Sequence, residues 1–504
     1  MWSASRRPLS SEEMAVVEQN AVALGVTIDA LMENAGRVVA EEAARHLPAP
    51  PTRLAVVAST GNNGGDGTCA AHYLHQWGYS PEVWIVRPPS EIRSRAARRC
   101  YERIEHRLPI HVRLPRPEEL STMPLVLDAL LGTGQSASLR PPIRDAVEAI
   151  RASRAPTLAI DLPTGVLDPA GLRPTWTVAL TTVKAEMDPA RAGEVTVRDI
   201  GLPAAAWRRT GPGEFQFFHP PEGHADRGRS GRLVVVGGGP YAGAPALAGL
   251  AALRSGAERA SVLAPGGAAD RVQSFSPNLI VRAFGPDRFR PTDLPDLLEF
   301  VRTAPPRAVV VGMGGGAHPE TIELFRALIH ELLGRVPLVV DADALLALPG
   351  EGEISARAEA TGAPPAIVAT PNSGEFARVF GVAPSLSPEE RSAAVERIAR
   401  ERRLTLLVKG DPDLASDGSV TFENLHHHAA MTVGGVGDVL AGVVGSLLAQ
   451  GLTPLHAARL GTYWTGDAGL RAASTHSFGL LATDVIEELP RALVGGLERL
   501  QRAT

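Results

Sequence analysis

The sequence predicts an α/β protein of two domains, each with three α/β/α layers around a mainly parallel sheet. Its 504 residues exceed what one ordinary hydrophobic core accommodates, so two domains are expected. Short apolar runs alternate with helical stretches, which is typical of parallel strands covered by helices on both faces. Several runs end in a carboxylate or a glycine turn, where sheets of this kind bind ligands.

The composition favours a soluble globular enzyme. Hydrophobic residues make up 44% of the chain, and a net charge of −5 is spread without the basic stripe that nucleic-acid binding requires. Cys69 and Cys100 are the only cysteines, which excludes a disulfide framework and favours a reducing compartment. No apolar run reaches the ~18 residues of a membrane span and no signal peptide is recognised. We therefore expect a cytoplasmic protein without membrane or nucleic-acid partners.

The first half begins with helices and a buried strand. Ser10 and Glu13 form a capping-box pattern, and a long helical region is predicted from there to about Arg45, where prolines end it. The apolar run 54–58 predicts a strand that leads into the turn Gly61 to Gly67 and then a helix. This turn lacks the Gly-x-Gly-x-x-Gly spacing of a dinucleotide fingerprint.

The polar residues of this turn indicate a ligand site. Asn62 and Asn63 offer hydrogen-bond donors and acceptors, and Asp66 adds a carboxylate. A tight turn held by local side-chain hydrogen bonds is the alternative. Two amides and a carboxylate packed among glycines exceed what a turn needs, so we favour ligand binding.

Two further predicted strands end in carboxylates. The run 125–134 contains Asp128, and the run 157–165 contains Asp161; both lead into glycine turns. Because ligands bind at the carboxyl ends of parallel strands, both aspartates are candidate site residues. Either one alone could instead cap the loop that follows it.

Together these motifs resemble the NAD(P)H-hydrate epimerase domain, a Rossmann-like fold, over about Ser10 to Pro203. The resemblance implies that Asn63, Asp128 and Thr164 hold a potassium ion. It also implies that Asp161 is the acid/base group that epimerises C6 of the nicotinamide hydrate. The implied substrate contacts are Asn62, Asn63, Gly64, Gly65, Asp66, Gly132, Thr133, Gly134, Gln135, Ser136, Ala137, Ser138 and Asp161.

This chain departs from the epimerase pattern at three places. Thr164 stands where the family usually has serine, Ala179-Leu180 replaces a common Thr-Phe, and the turn after Thr133 is longer. These differences concern the pocket rather than the fold. The same fold also serves as a non-catalytic module in an mRNA-decapping scaffold. A non-catalytic module of that kind is expected to lack the strand-end aspartates, but Asp128 and Asp161 are both present.

The second half repeats the alternation of strands and helices. A segment rich in proline, glycine and charge, 206–230, is predicted as the linker between a domain over 1–205 and a domain over 231–504. A helix is predicted over 243–254. The apolar runs that predict strands begin at Leu233, Ala308, Pro337, Ala366 and Leu404.

The motif Met431 to Gly442 organises this half. Glycines and Asp438 stand just ahead of an apolar helical run. The first amides of a helix have no internal partner and its dipole favours negative charge, so the turn is a predicted phosphate cradle. Asp438 is placed to take a proton from a substrate hydroxyl. The alternative is a glycine turn in which Asp438 only caps the helix.

This motif resembles the anion hole and catalytic aspartate of the ribokinase-like superfamily. With Lys409-Gly410 upstream and 447–452 downstream, the half from Gly228 to Ala492 resembles the NAD(P)H-hydrate dehydratase that uses ADP or ATP. The resemblance implies that Asp438 is the base and that Mg²⁺ binds with the nucleotide. The implied hydrate contacts are Ala244, Gly314, Asn372 and Asp438. The implied nucleotide contacts are Lys409, Gly410, Asp411, Pro412, Asp413 and Gly437.

Other polar residues deserve a plainer interpretation. The family usually has a histidine where this chain has Asn372, and an asparagine side chain does not titrate near neutral pH. The family also usually has Gly-Pro-Gly-Leu-Gly at positions 312–316, where this chain differs. His426-His427-His428 resembles a metal tract, but consecutive residues of an extended segment alternate faces and do not readily share one ion. For His72 and His75, three apart on a helix, we expect a solvated or capping role.

The combined hypothesis is a fused metabolite-repair enzyme. It would epimerise the R and S hydrates of NADH and NADPH and dehydrate the S form at the expense of ADP or ATP. One alternative is a ribokinase-like kinase of the hydroxymethylpyrimidine or hydroxyethylthiazole type, which leaves the first half unexplained. Another is a non-catalytic nucleotide-binding scaffold. We expect NADHX, NADPHX and ADP or ATP as small-molecule partners, and a homo-oligomer; the fused architecture resembles the ADP users.

Overall fold

The computed structural model describes residues 7–220, 231–362, 365–383 and 386–502. The chain divides into two compact units, one up to Ala206 and the other over Trp207–Arg502. Each unit contains one sheet with helices on both faces. No helix of the described ranges combines the length and the hydropathy that crossing a bilayer requires.

The first unit has a parallel sheet of seven strands in the order β3-β2-β1-β4-β5-β6-β7. Its strands are β1 (Arg53–Ala58), β2 (Ser80–Ile85), β3 (Ile110–His111), β4 (Val126–Ala129), β5 (Thr157–Ile160), β6 (Trp176–Leu180) and β7 (Glu194–Arg198). Its helices are α1 (Ser11–Ala23), α2 (Ile28–His46), α3 (Asn62–Gln76), α4 (Arg95–Ile104), α5 (Pro117–Ser121) and α6 (Ile143–Ser153).

The alternation of side chains along β1 explains why both faces of this sheet are covered. Val57 packs in one buried cluster with Val147 and Ile150 of α6. Val56 points to the opposite face, where it approaches Gly67 of α3. Strand order reverses beside β1, which lies between β2 and β4, so the carboxyl ends of β1 and β4 form the crevice in which such sheets bind ligands.

Two details of the predicted first unit need correction. The capping box at Ser10 is present, but the predicted long helical region is two helices, separated at Gly25, whose φ of +97° breaks the helix. The predicted turn Gly61 to Gly67 is largely the first two turns of α3. A Cβ on Gly64 would lie 1.9 Å from the carbonyl oxygen of Ser59, so this glycine lets the helix start pack onto the end of β1.

The second unit has a mixed sheet of nine strands in the order β10-β9-β8-β11-β12-β13-β14-β15-β16. The strands are β8 (Arg232–Val236), β9 (Arg259–Ala264), β10 (Ile280–Ala283), β11 (Ala308–Val311), β12 (Leu338–Val340), β13 (Ile367–Ala369), β14 (Thr405–Val408), β15 (Asp413–Ser416) and β16 (Thr421–Asn424). The helices are α7 (Gly243–Arg254), α8 (Gly266–Phe275), α9 (Leu294–Thr303), α10 (Pro319–Leu332), α11 (Glu351–Thr361), α12 (Ser373–Phe380), α13 (Pro388–Arg402), α14 (Val436–Ala449), α15 (Pro454–His476) and α16 (Ala482–Arg502).

This sheet is parallel except at one edge, where β15 and β16 run antiparallel to their neighbours. Val234 and Leu328 of α10 belong to the cluster on one face. On the other face a Cβ on Gly445 of α14 would lie 2.4 Å from Val310, so the glycine allows the close approach of the helix. The predicted mainly parallel, doubly covered sheet is therefore confirmed, with an added hairpin.

The described part of the predicted linker is folded. Residues 212–217 form a 3-10 helix in which Phe215 is fully buried, with its ring 5.8 Å from that of Trp464. Glu214 accepts a buried hydrogen bond from Arg459 at 3.0 Å. The prolines, glycines and charges of this segment predicted a linker between domains, but aromatic side chains pack its described part into the second unit. Residues 221–230 lie outside the described ranges.

Candidate active sites

Asp128 and Thr164 form the buried centre of the site in the first unit. Asp128, in β4, is fully buried and accepts hydrogen bonds from the backbone N–H of Thr164 at 2.9 Å and from its hydroxyl at 2.7 Å. The backbone N–H of Leu130 donates a third at 3.2 Å. Burial raises the pKa of Asp128 to about 6, although these bonds oppose the shift.

Asn63 adds a buried amide to this centre. Among the described residues, neither its Oδ1 nor its Nδ2 has a hydrogen-bond partner, although both atoms are buried. A Cβ on Gly132 would lie 3.3 Å from the Asn63 Oδ1, so the glycine leaves room beside the amide. A buried polar atom without a partner is costly. The three oxygen-bearing side chains of Asn63, Asp128 and Thr164 therefore fit a hard cation such as K⁺.

Asp161 follows β5 in a strained conformation with a buried counter-ion. Its φ of +66° is unusual for a residue with a Cβ, and such strain is frequent at functional sites. Its carboxylate pairs with the ammonium group of Lys184 and accepts a bond from the Leu180 N–H at 3.2 Å. Lys184 is 2% exposed and also donates to the Leu180 carbonyl at 2.7 Å.

Two further carboxyl groups interact with this pair. Burial, and then the charge of Asp161, raise the pKa of Asp66 well above its usual range. Burial raises the pKa of Glu18 to about 7, with Lys184 opposing and Asp161 adding to the shift. The site thus combines an ion-paired carboxylate with two readily protonated ones. Sequence reasoning named Asp66 but missed Glu18, since an acid in the middle of α1 gives no signal of its own.

The turn Gly132 to Ser138 is joined to the turn after Asp161 through Gln135. Its amide donates to the Pro163 carbonyl at 3.2 Å and accepts from the Gly165 N–H at 2.6 Å. The remaining predicted contacts are arranged around this crevice. Gly64 and Gly65 are buried, Gly132 and Asp66 are half-buried, and Asn62, Thr133, Gly134, Ser136, Ala137 and Ser138 are exposed.

In the second unit, α14 begins directly after a glycine turn. Gly435 is the N-cap residue with a φ of +97°, and no side chain caps the first amides of the helix. Asp438 lies in the first helical turn and is half-buried. Burial, and then the charge of Asp341, raise the pKa of Asp438 to about 7, while Lys409 opposes the shift.

Lys409 is held at the mouth of this helix by a buried partner. Its Nζ lies 2.8 Å from Oδ1 of Asp341, which is 2% exposed. Burial alone would lower the pKa of Lys409, but the Asp341 carboxylate, together with the charges of Glu375 and Asp438, outweighs burial and raises it. A Cβ on Gly437 would lie 3.2 Å from the same Nζ, so this glycine leaves the ammonium group accessible. The strand-end carboxylate of Asp341 was visible in the sequence, but its pairing with Lys409 was not.

A cleft of about 800 Å³ brings most of the predicted nucleotide contacts together. Arg391, which sequence reasoning missed, holds the loop beside the cleft in place, since it donates to the carbonyls of Pro412 at 2.7 Å and of Lys409 at 3.3 Å. Asp413 accepts from the Gly410 N–H at 2.9 Å and from the Thr462 hydroxyl at 2.7 Å, so it orders the turn. The predicted residues that line the cleft are Asn372, Lys409, Gly410, Asp411, Asp413 and Gly437.

The other predicted hydrate contacts lie on neighbouring elements. A Cβ on Gly314 would lie 3.3 Å from the Cβ of Ala244, so these two positions are adjacent. Leu247, one turn further along α7, would lie 2.6 Å from a Cβ on Gly435, which connects this pair to the glycine turn. Asn372 caps α12, since its Oδ1 accepts from the Glu375 N–H at 2.9 Å.

Comparisons with known proteins cover both units. Residues 233–491 match a family model described as NAD(P)H-hydrate dehydratase, and residues 28–186 match one described as YjeF-related protein N-terminus. The bifunctional NAD(P)H-hydrate repair enzyme Nnr of Hyperthermus butylicus is 36% identical over 98% of this chain and 94% of its own length. That of Pyrobaculum aerophilum is 36% identical over 96% of this chain and 98% of its own length.

Solved structures that cover about half of this chain are also similar to it. The ADP/ATP-dependent NAD(P)H-hydrate dehydratase from Bacillus subtilis, co-crystallized with ATP/Mg²⁺, covers 56% of this chain and 96% of its own length. Its identity is 21% and its TM-score 0.48.

The fold and the two sites define a two-domain α/β enzyme that handles nucleotides. One site offers a buried oxygen cluster, and the other offers a lysine and an aspartate around an uncapped helix start. The chain belongs to the family of bifunctional NAD(P)H-hydrate repair enzymes. The resemblance of both halves, noted from their motifs, is thereby confirmed.

Proposed function

We propose that this chain repairs hydrated NADH and NADPH with two activities, epimerising the hydrate in the first unit and dehydrating its S form in the second. The observation that carries this proposal is the cleft shared by Lys409, Asn372 and Gly437, next to Asp438 at the start of α14. Its volume suits a nucleotide. Identity to the bifunctional relatives extends through both units.

In the second unit, Asp438 takes the proton of the C6 hydroxyl of the hydrate. The hydroxyl oxygen attacks the terminal phosphorus of ADP or ATP. Lys409 and the uncapped amides of α14 stabilise the charge of the transferred phosphoryl group. The C6–O bond then breaks with phosphate as the leaving group, and loss of a proton from C5 restores the ring double bond. The nucleotide is needed because hydroxide is a poor leaving group and phosphate a good one.

Mg²⁺ bound with the nucleotide would neutralise negative charge on the phosphate oxygens. Mg²⁺ typically uses one or two protein carboxylates together with phosphates and waters, so a complete protein cage is not required.

In the first unit, Asp161, protonated through Glu18 or Asp66, donates a proton to the C6 hydroxyl of the hydrate, so that the C6–O bond breaks and water leaves. The lone pair of the ring nitrogen stabilises the cation at C6, and water then adds to C6 from the other face and returns a proton to Asp161. Lys184 keeps Asp161 oriented, and Glu18 and Asp66 are available as proton donors. K⁺ held by Asn63, Asp128 and Thr164 would supply positive charge at the strand ends. The helix start of α3 and the turn Gly132 to Ser138 would line the nucleotide part of the hydrate.

The substituted pocket positions retain usable chemistry. Thr164 keeps the hydroxyl of the serine usual in the family, and that hydroxyl contacts Asp128. Because Oδ1 of Asn372 accepts the capping hydrogen bond of α12, the amide N–H of this side chain is what remains to contact the hydrate. An amide does not act as an acid, so Asn372 would position the hydrate rather than protonate it.

The test is recovery of absorbance at 340 nm from (S)-NADPH hydrate with ADP, Mg²⁺ and K⁺, with product analysis. We expect one NADPH, one AMP and one phosphate for each ADP consumed. A stable phosphorylated product without NADPH would favour a ribokinase-like kinase instead, and hydrate binding without turnover would favour a scaffold.

A further inference from the structure

The three consecutive histidines after β16 have different environments. His426 is an anchor, because its Nε2 lies 3.0 Å from Oδ1 of the buried Asp467 and its ring stacks on Tyr463 at 4.5 Å. Asp467 also accepts from Arg471 at 2.8 Å. His426 therefore attaches this segment to α15 and is not available to the cleft.

His427 and His428, in contrast, line the nucleotide cleft. Nδ1 of His428 accepts from the Ala430 N–H at 3.1 Å, which orders the following turn. Nε2 of His427 lies 3.5 Å from Oδ1 of Asp411, whose side chain is 83% exposed. Nδ1 of His427 is buried and has no hydrogen-bond partner within the described ranges. Because Nδ1 is buried, Nε2, which lies beside Asp411, is the ring nitrogen that can meet a ligand in the cleft.

The lining of the cleft orients a nucleotide. Lys409, Gly410 and Gly437 form its polar end at the start of α14, which suits phosphates. Leu425, Met431, Val433 and Leu440 form an apolar part, which suits a base. His427 lies two residues from Leu425 in the chain and faces Asp411, two residues beyond Lys409. Both residues line the same cleft as the polar and apolar parts, so we assign the pair to the sugar that joins the phosphates to the base.

We infer that His427 and Asp411 form hydrogen bonds with the ribose hydroxyls of the nucleotide cosubstrate. The second unit should therefore bind a ribonucleoside diphosphate more tightly than its 2′-deoxy analogue. Vicinal hydroxyls both donate and accept hydrogen bonds. They can donate to the Asp411 carboxylate and accept from the His427 ring N–H, replacing the long contact between the two side chains. This inference rests on the proposed function and adds to it the determinant of sugar recognition.

The test measures binding of ADP and 2′-deoxy-ADP to the full chain by calorimetry, with Mg²⁺ present. For the unsubstituted chain we expect ADP to bind about three- to tenfold more tightly, the ratio that one net hydrogen bond supports. In His427→Ala and Asp411→Ala, ADP affinity should fall to that of the deoxy analogue, whose affinity stays the same. His427→Gln keeps a donor and should keep the preference. His330→Ala, an exposed histidine of α10, is the matched control.

Turnover separates sugar recognition from a general loss of structure. Because the pair does not touch the transferred phosphoryl group, KM for ADP should rise in His427→Ala while kcat at saturating ADP changes less than about twofold. Equal affinity of the unsubstituted chain for both nucleotides, or an unchanged preference in His427→Ala, would overturn the inference and leave the repair function standing. Failure to bind either nucleotide would overturn the proposed function as well.

Discussion

The ammonium nitrogen of Lys409 lies 2.8 Å from Oδ1 of Asp341, a carboxylate that is almost fully buried directly after β12. Both charges act on Asp438, Asp341 by raising its pKa and Lys409 by lowering it. Burial is the largest cause of the raised pKa of Asp438, and the two members of this ion pair adjust that pKa in opposite directions.

The rate of dehydration should depend on ionisation of Asp438. Its pKa of about 7 means that the base form gains population as pH rises through neutrality, so kcat/KM should increase from pH 6 to a plateau above about 8. Asp438→Asn should lower the plateau rate by about 10²- to 10⁴-fold and abolish the rise with pH. A flat profile in the absorbance assay, or an active Asn variant, would exclude this role.

Substituting the ion pair should move this profile in opposite directions. Asp341→Asn removes the negative charge that raises the pKa of Asp438, so the acid limb of kcat/KM should move to lower pH. Lys409→Met removes the opposing positive charge, so the limb should move to higher pH and KM for ADP should increase. Asp270→Asn, an exposed carboxylate on α8, provides the control. Shifts of the same sign in both variants would refute this electrostatic assignment.

The effects of substituting Lys184 and Asp161 on the free energy of unfolding should be strongly non-additive. Lys184→Met leaves Asp161 without its buried counter-ion, and breaking such a pair costs about 3–5 kcal/mol. The double variant Lys184→Met/Asp161→Asn should regain part of that stability, while both forms lose epimerisation. Denaturant unfolding of the unsubstituted chain, the single variants Lys184→Met and Asp161→Asn, and the double variant measures the coupling. Additive losses would show that the two groups act independently.

The hydroxyl at residue 164 should be required for potassium dependence. Thr164→Ser keeps the bond to Asp128 and should keep activation of the epimerase by K⁺. Thr164→Val is nearly isosteric but removes an oxygen from the site, so activation should be lost or need a much higher K⁺ concentration. Epimerisation is followed by chromatography of the hydrates over a K⁺ titration. Undiminished activation in the valine variant would place the ion elsewhere.

Local sequence patterns predicted most of the strands and helices. The apolar runs predicted the strands, and α7 begins at Gly243 and ends at Arg254 as predicted. Both predictions succeeded because strand–helix alternation is a short-range signal. The hairpin of β15 and β16 was missed because its strands are short and partly polar. The Asp417-Gly418 pair between them was the available signal. Phe215 and Phe217, buried in the second unit, were hidden by the proline- and glycine-rich composition around them.

The site was only partly visible in the sequence. Asp128, Asp161 and Asp438 could be named because each ends a strand or begins a helix. Glu18 and Arg391 could not, because their roles arise from contacts with residues far along the chain. A single sequence gives the chemistry of a side chain, but tertiary packing decides which charges it meets.

Conversion of pure (R)-NADPH hydrate to NADPH, in the presence of ADP, Mg²⁺ and K⁺, tests the central claim most directly. The R form must first be epimerised in one unit and then dehydrated in the other. We predict full recovery of absorbance at 340 nm by the unsubstituted chain, recovery at least about 10²-fold slower by Asp438→Asn, and recovery limited by slow spontaneous epimerisation in Asp161→Asn. Failure of the unsubstituted chain to convert the R form faster than Asp161→Asn does would contradict the account of two coupled activities.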